Sequence, residues 1–194
     1  MAGTAVACLT ALLTPGAASA AEEHTNPSES PADIQIMSND EYVKTFGVEQ
    51  ALAEGVPLPG EIDGAGETAA LPPDPSIPWY RVNWSTLDWD HNDIPTRQGT
   101  NDFGAHHIAK KHNVTSKKFI NAPYNGNADR VHGTRAEYDG VITHGSQVRM
   151  NILGSAERGE KGPNGVHTPD GRPIGTITSY CKGQTVCPDW VNDI

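Results

Sequence analysis

One short segment of the chain concentrates the side chains that could move protons near neutral pH. Asp102–Val114, with the sequence DFGAHHIAKKHNV, carries three histidines and two lysines in little more than three helical turns. They are His106, His107, Lys110, Lys111 and His112. A neutral imidazole can remove a proton, a protonated one can return it, and a lysine can hold a phosphate. The segment therefore predicts acid/base chemistry on an anionic ligand.

The spacing of these histidines is wrong for a metal site. His106 and His112 are six positions apart and His107 and His112 are five apart, whereas two ligands on one helical face are separated by three or four. The glutamate of an HExxH motif is also missing. We therefore predict no metal and no other cofactor.

The histidine segment is predicted to be a helix that lies on a small sheet. Asp102 is expected to cap this helix, and a second short helix is expected at residues 116–121. Three stretches then alternate between apolar and polar residues, at 135–144, 147–156 and 172–181. Gly145 and Ser146 supply a tight turn between the first two. Short helices followed by an antiparallel β-meander make the predicted fold class α+β, with a disordered N-terminal extension.

The N-terminal part of the chain is predicted to serve export and not the core. Residues 1–20 contain an apolar run that ends in AASA, which is typical of a cleaved signal peptide, so we expect a secreted protein. The run is too short for a membrane span. Residues 21–75 are predicted to be an acidic, Pro/Gly-rich leader with one short helix, in which Ser38 and Glu41 form a capping box. The compact domain is predicted to occupy residues 76–194.

Charge and cysteine content point to an exported domain with an anionic partner. Residues 21–75 have a net charge of −11, whereas residues 76–194 have a net charge of +1. Basic residues outnumber acidic ones seven to two between Arg97 and Arg135, which suits RNA or another polyanion. Cys181 and Cys187 are six positions apart and are expected to form a structural disulfide.

The aromatic segment before the histidines has two interpretations. Trp79, Trp84 and Trp89 alternate with Val82 and Leu87, and tryptophans in such a cluster most often belong to the core. The alternative is a platform on which nucleobases stack, which usually requires a sheet face around it.

RNA cleavage needs the parts that the histidine segment supplies: a base for the 2′-hydroxyl, an acid for the leaving oxygen and a cation beside the phosphorane. The motif FG-x-HHI-x-KKH, a following strand with Arg135 and Tyr138, and the late stretch HTPDGRPIGTITSY at 167–180 resemble the metal-independent ribonuclease toxins of the barnase, EndoU, colicin and RelE group.

This resemblance implies roles for individual residues. The expected catalytic residues are His107, His112, Arg135, Tyr138, Thr178 and Tyr180. His106, Lys110 and Lys111 are expected to bind the substrate. The resemblance covers about the last half of the chain, and the closing CKGQTVCPDW is not part of the family pattern. We expect a monomer that acts on RNA and that has a cognate inhibitor protein.

Other functions remain open at the level of sequence. The chain could be a secreted, non-catalytic binding module that docks through the basic helix and the tryptophans. Glutamate often serves as the base in barnase-like sites, and Glu137 and Glu157 are candidates; a Glu137 on the opposite side from the histidines would favour the binding module. A serine or cysteine hydrolase is disfavoured, because the sequence has no GxSxG motif and no free cysteine in residues 21–194.

Overall fold

A computed structural model of the chain describes residues 33–58, 78–161, 165 and 167–194. The predicted signal peptide, together with residues 21–32 and 59–75 of the predicted leader, lies outside these residues. Within them the α+β fold class is confirmed: short helices surround a five-stranded antiparallel sheet and a separate two-stranded sheet.

The described secondary structure runs in this chain order: β1 (Ile34–Ser38), α1 (Asn39–Phe46), α2 (Val48–Ala53), β2 (Val82–Leu87), β3 (Asp93–Arg97), α3 (Gly104–His112), α4 (Lys117–Asn121), β4 (Arg130–His132), β5 (Arg135–His144), β6 (Gln147–Glu157) and β7 (Gly175–Cys181). Short 3-10 helices follow α4 at Ala122–Tyr124 and β7 at Asp189–Asn192. No helix in these ranges is long and apolar enough to cross a membrane.

The main sheet is the predicted three-stranded meander with two further strands, β1 and β4. Its order is β1-β5-β6-β7, and β4 pairs with the first residues of β5 on the same edge as β1. The turn at Gly145 joins β5 and β6 as predicted, and Gly145 has the positive φ of 58° that such a turn requires. The third strand begins at Gly175, three residues later than the alternation indicated.

Part of the predicted leader belongs to the folded unit. Met37 of β1 pairs with Val141 of β5, and Tyr42 of α1 is fully buried with its hydroxyl donating to the Ser146 carbonyl. The predicted capping box of Ser38 and Glu41 is present. The folded unit therefore reaches back to β1, well before the boundary predicted at residue 76. The apolar residues of this segment are too sparse to mark a core locally, and only pairing with a strand a hundred residues away gathers them.

Two helices cover one face of the main sheet. Ile108 of α3 and Phe119 of α4 are fully buried, and they share a core with Ile142, Ile152 and Cys181, which the sheet supplies. On the other face, α1 and α2 cover only the end formed by β1 and the neighbouring part of β5. The rest of that face carries mainly polar side chains, with Leu153 among them.

The two-stranded sheet is held against the edge of the main sheet by buried polar contacts. The Thr96 and Thr176 hydroxyls are 2.8 Å apart, and Arg97, which is fully buried, donates to both carboxylate oxygens of Asp170. Of the tryptophans expected in the core, Trp79 and Trp84 are half-buried, Trp84 packs against the main core, and Trp89 is 43% exposed. The alternation in β2 has one face on the protein and the other in solvent, so Trp84 is only half-buried.

Candidate functional site

The site is built around two histidines that α3 brings into contact. The His107 and His112 rings lie edge to face with their centroids 5.2 Å apart. The helix begins one residue later than predicted, with Phe103 and not Asp102 at its N-cap, and the cap makes no side-chain hydrogen bond. Gly104 has a φ of 77° and approaches the Arg97 carbonyl so closely that a Cβ there would lie 2.8 Å from it. The helix therefore begins at this close backbone contact and not at a side-chain cap from Asp102.

Each histidine is held by a backbone carbonyl on its Nδ1 atom. His107 Nδ1 lies 2.6 Å from the Asn101 carbonyl oxygen, and His112 Nδ1 lies 2.8 Å from the Thr185 carbonyl oxygen. A carbonyl oxygen only accepts, so both Nδ1 atoms must carry hydrogen. In the neutral rings the lone pair is therefore on Nε2, and Nε2 is the atom that can exchange a proton with a ligand.

Burial tunes both histidines toward the neutral form. His107 is 7% exposed and His112 is 6% exposed. Desolvation lowers the pKa of His107 below its usual 6.5, against the opposing effect of the Asn101 carbonyl. Desolvation lowers the pKa of His112 in the same way, and the charges of His107 and Lys111 act in the same direction. At neutral pH the pair can accept protons, and an anionic ligand would favour the protonated form of either ring.

Tyr180 and the disulfide loop complete the surroundings of His112. The Tyr180 ring stacks on the His112 ring at 5.2 Å between centroids and 25° between planes. The predicted disulfide between Cys181 and Cys187 is present, with the Cα atoms 5.6 Å apart. The five residues that it encloses are exposed, although both cysteines are buried. His112 therefore sits between a strand end and a covalently closed loop.

The register of the sheet places Tyr180, Thr178 and Arg135 on one face. Tyr180 lies opposite Leu153 and Asp139, and Thr178 lies opposite Ser155 and Glu137. Side chains directly opposite each other share a face, and residues two apart on a strand also share it.

Contacts on this shared face are polar. Arg135 Nη1 donates to Ser155 Oγ at 3.4 Å, and Thr178 Oγ1 is buried and has no hydrogen-bond partner within the described part of the chain. A partnerless hydroxyl beside Tyr180 could accept or donate a hydrogen bond to a ligand.

Tyr138 does not join this group. It lies opposite Gly154, which lies opposite Ser179, so it points to the other face of the sheet from Tyr180. There it is fully buried, and its hydroxyl contacts Asp88 Oδ2 at 2.9 Å and Arg158 Nη2 at 2.8 Å. Burial raises its pKa. Alternation along β5 could have separated Tyr138 from Tyr180, but only once the strand pairing was known.

Three charged residues of the same face were missed at the level of sequence. Lys182, two residues after Tyr180, donates to Asp139 Oδ1 at 3.1 Å, and Arg130 Nη1 contacts Asp139 Oδ2 at 3.1 Å. Arg130 also bonds to Glu137 at 2.7 Å. Glu137 therefore lies on the Tyr180 face of the sheet, opposite the face that α3 covers, which is the arrangement that favours the binding module, and Arg130 compensates its charge. Lys182 and Asp139 are 43 positions apart in sequence, and no local pattern indicates that they meet.

The remaining predicted residues lie on the outer side of α3. Lys110 and Lys111 are exposed, and His106 is half-buried. Asn101 Oδ1 accepts from Lys110 Nζ at 3.1 Å and lies 3.2 Å from His106 Nε2. These side chains form a basic rim next to the histidine pair and are accessible to a large anion.

Across the described ranges, no group of three or more His, Cys, Asp or Glu side chains is arranged to hold a metal ion. No protein-family model, no curated protein and no solved structure matches the chain.

Proposed function

We propose that this chain is an endoribonuclease that uses His107 and His112 as its acid/base pair and needs no metal ion. The observation that carries the proposal is the pair itself: two touching imidazoles, each with Nδ1 held by a backbone carbonyl and Nε2 left for proton exchange. The sequence resemblance to the metal-independent ribonuclease toxins leads to the same residues.

The reaction follows from the chemistry of the pair. The Nε2 atom of the neutral ring removes the proton of an RNA 2′-hydroxyl, and the 2′-oxygen attacks the adjacent phosphorus. The P–O5′ bond breaks, and the protonated second ring gives its proton to the departing 5′-oxygen. The products are a 2′,3′-cyclic phosphate and a 5′-hydroxyl, and the two rings have exchanged roles as proton carrier.

Cations and hydroxyls beside the pair supply the remaining stabilisation. Tyr180 stacks on His112, and Lys182, just after the end of β7, reaches Asp139 on the same face, so both are suited to contact the phosphorane oxygens. Arg135 and Thr178 lie further along that face and suit a neighbouring phosphate. Lys110 and Lys111 on the rim would raise the affinity for a polyanion of any sequence.

We also propose that the protein works outside the cytoplasm. The support is the disulfide, because such bonds form and persist in oxidising compartments, together with the sequence of residues 1–20. An exported ribonuclease endangers the cell that makes it, which is why we expect a cognate inhibitor protein.

The test is an oligodeoxynucleotide that contains a single ribonucleotide, incubated with the full oxidised chain. We expect one cut, 3′ to the ribonucleotide, that leaves a 2′,3′-cyclic phosphate and a 5′-hydroxyl. The all-deoxy oligonucleotide should stay intact. Cleavage of the all-deoxy strand, or a product with a 5′-phosphate, would contradict the mechanism.

A second candidate is a binding module without catalysis, and the exposed aromatic residues favour it. Tyr80 and Trp89 are 49% and 43% exposed, and the lysines Lys44 and Lys117 lie over the rings of Trp89 and Trp84 at 5.8 and 5.9 Å. Surfaces that bind single-stranded nucleic acid combine exposed aromatic rings, on which bases stack, with basic side chains that contact the backbone. RNA that is bound and stays uncut would favour this alternative.

A further inference from the structure

We infer that the disulfide loop Cys181–Cys187 is the positioning element of His112, so that the site works only while the disulfide is intact. This inference rests on the proposed function for its effect on RNA cleavage. Its effect on the histidine itself is independent of that function.

Three separate contacts tie His112 to the loop and its flanks. The Thr185 carbonyl, inside the loop, accepts from His112 Nδ1 at 2.8 Å. The Cys187 N–H donates to the His112 carbonyl at 2.9 Å, which fixes the end of α3. Tyr180, the residue before Cys181, stacks on the ring. Residues 180–187 therefore contact the Nδ1 atom, the main-chain carbonyl and the ring face of His112.

The next residue, Asn113, reinforces this connection. It ends α3 in the left-handed conformation with a φ of 59°, and its Nδ2 donates to the Cys187 carbonyl at 3.2 Å and to Asp189 Oδ1 at 2.7 Å. The C-terminus of the helix is therefore fastened to one of the two cysteines. The Thr185 carbonyl, in contrast, lies in an exposed stretch that is held at both ends by the disulfide and within the loop by the Gln184 N–H, which donates to the Cys181 carbonyl at 3.1 Å.

His107 differs from His112 in one respect that makes it an internal control. Its Nδ1 partner is the Asn101 carbonyl, which lies before α3 and far from the loop in sequence. Opening the disulfide should therefore release the tautomer of His112 and leave that of His107 unchanged.

Reduction by a dithiol such as dithiothreitol is the opening step. Two electrons and two protons pass from the dithiol to the protein disulfide, which becomes two thiols, and the reductant closes to its own cyclic disulfide. Without the closure, the Thr185 carbonyl is no longer held at His112. The free ring then favours hydrogen on Nε2, the atom that must accept or give the reacting proton.

The experiment follows both rings in the full chain by 15N-detected imidazole NMR, before and after reduction, alongside the rate of RNA cleavage. We expect His112 to lose its Nδ1–H signature while His107 keeps it, and the cleavage rate to fall by about 10-fold to 100-fold, as when a hydrogen bond that orients a reactive imidazole is lost. Unchanged His112 tautomer and unchanged rate in the reduced, folded protein would overturn the inference. A tautomer change without any cleavage in either state would leave the positioning role standing and refute the ribonuclease.

A second variant covers the case in which reduction unfolds the protein. Inserting two glycines between Thr185 and Val186 keeps the disulfide and its buried cysteines but moves the carbonyl. The inserted residues lie in the exposed part of the loop. We expect the same selective change at His112 and the same loss of rate, and an insertion variant that behaves like the parent protein would refute the role of the loop.

Discussion

The carboxylate of Asp129 allows a stability prediction with an unusual sign. It lies beside β4, where its Oδ2 accepts from the Asp139 N–H at 2.6 Å. Desolvation, with the neighbouring charges of Asp139 and Asp40, raises its pKa from about 3.8 to about 6. Because the folded protein holds this proton more tightly than the unfolded chain, the resulting stabilisation is complete below pH 3.8 and is lost as the pH rises through 6. At pH 7.5 the ionised Asp129 carboxylate lowers the free energy of unfolding.

The substitution Asp129→Asn removes this destabilising charge and keeps an oxygen that accepts from the Asp139 N–H. A difference of about two pKa units corresponds to at most about 3 kcal/mol. The side chain is only half-buried, so solvent screens part of this energy, and the bond to the amide N–H becomes weaker without the charge. We expect a net gain in the free energy of unfolding of about 1 to 2 kcal/mol at pH 7.5 and almost none at pH 4.

Urea unfolding monitored by circular dichroism at the two pH values measures this difference. Asp170→Asn is the matched control, because hydrogen bonds from Arg97 lower the pKa of Asp170. Its contribution is present above the usual carboxyl pKa and is lost as the pH falls, so this variant should be less stable than the parent at pH 7.5. An Asp129→Asn variant that is destabilised at pH 7.5, or equally stabilised at both pH values, would refute the reasoning.

Three further predictions concern the site and the extent of the fold. Tyr138→Phe leaves the hydrogen bonds of Asp88 and Arg158 incomplete in the core, so it should lower the free energy of unfolding by about 1 to 3 kcal/mol in urea titration. The folded Tyr138→Phe variant should cleave RNA at the parent rate, whereas Tyr180→Phe should lower the rate of cleavage. Because burial lowers the pKa of both histidines that we propose as the acid/base pair, the pH profile of kcat/KM for a dinucleotide should be bell-shaped with its maximum below pH 6.5, and a maximum above pH 7.5 would contradict the assignment. Removal of residues 1–75 deletes β1, α1 and α2, so the fragment 76–194 should lack the dispersed amide spectrum of the full chain; a well-dispersed spectrum would refute the inclusion of β1 in the fold.

Local patterns in the sequence predicted most of the elements that carry the site. The alternation of β5 and β6, the turn at Gly145, the helix that begins near Gly104 and the cysteine pair all depend on neighbouring residues, and the structure contains each of them. The capping box at Ser38 is equally local. Local patterns do not say which strand lies beside which, so β1 was missed as a strand and the domain boundary was placed too late.

The candidate site was predicted in part for the same reason. His107 and His112 lie five positions apart on one helix, so their proximity could be predicted from the sequence. The pairing of Lys182 with Asp139 and the separation of Tyr138 from Tyr180 depend on strand register, which periodicity alone does not fix. The carbonyl of Thr185 could not be predicted at all, because any residue type carries one.

A gel assay of the full oxidised chain on total RNA in excess EDTA shows whether His107 and His112 cleave RNA without a metal ion. His107→Ala and His112→Ala should each lower the rate by about 100-fold or more, whereas His132→Ala, an exposed histidine on β4, should not change it. We expect cleavage by the parent protein and by the His132→Ala variant only. Intact RNA in every lane, with each protein folded by circular dichroism, or equal cleavage by all four proteins, would contradict this expectation.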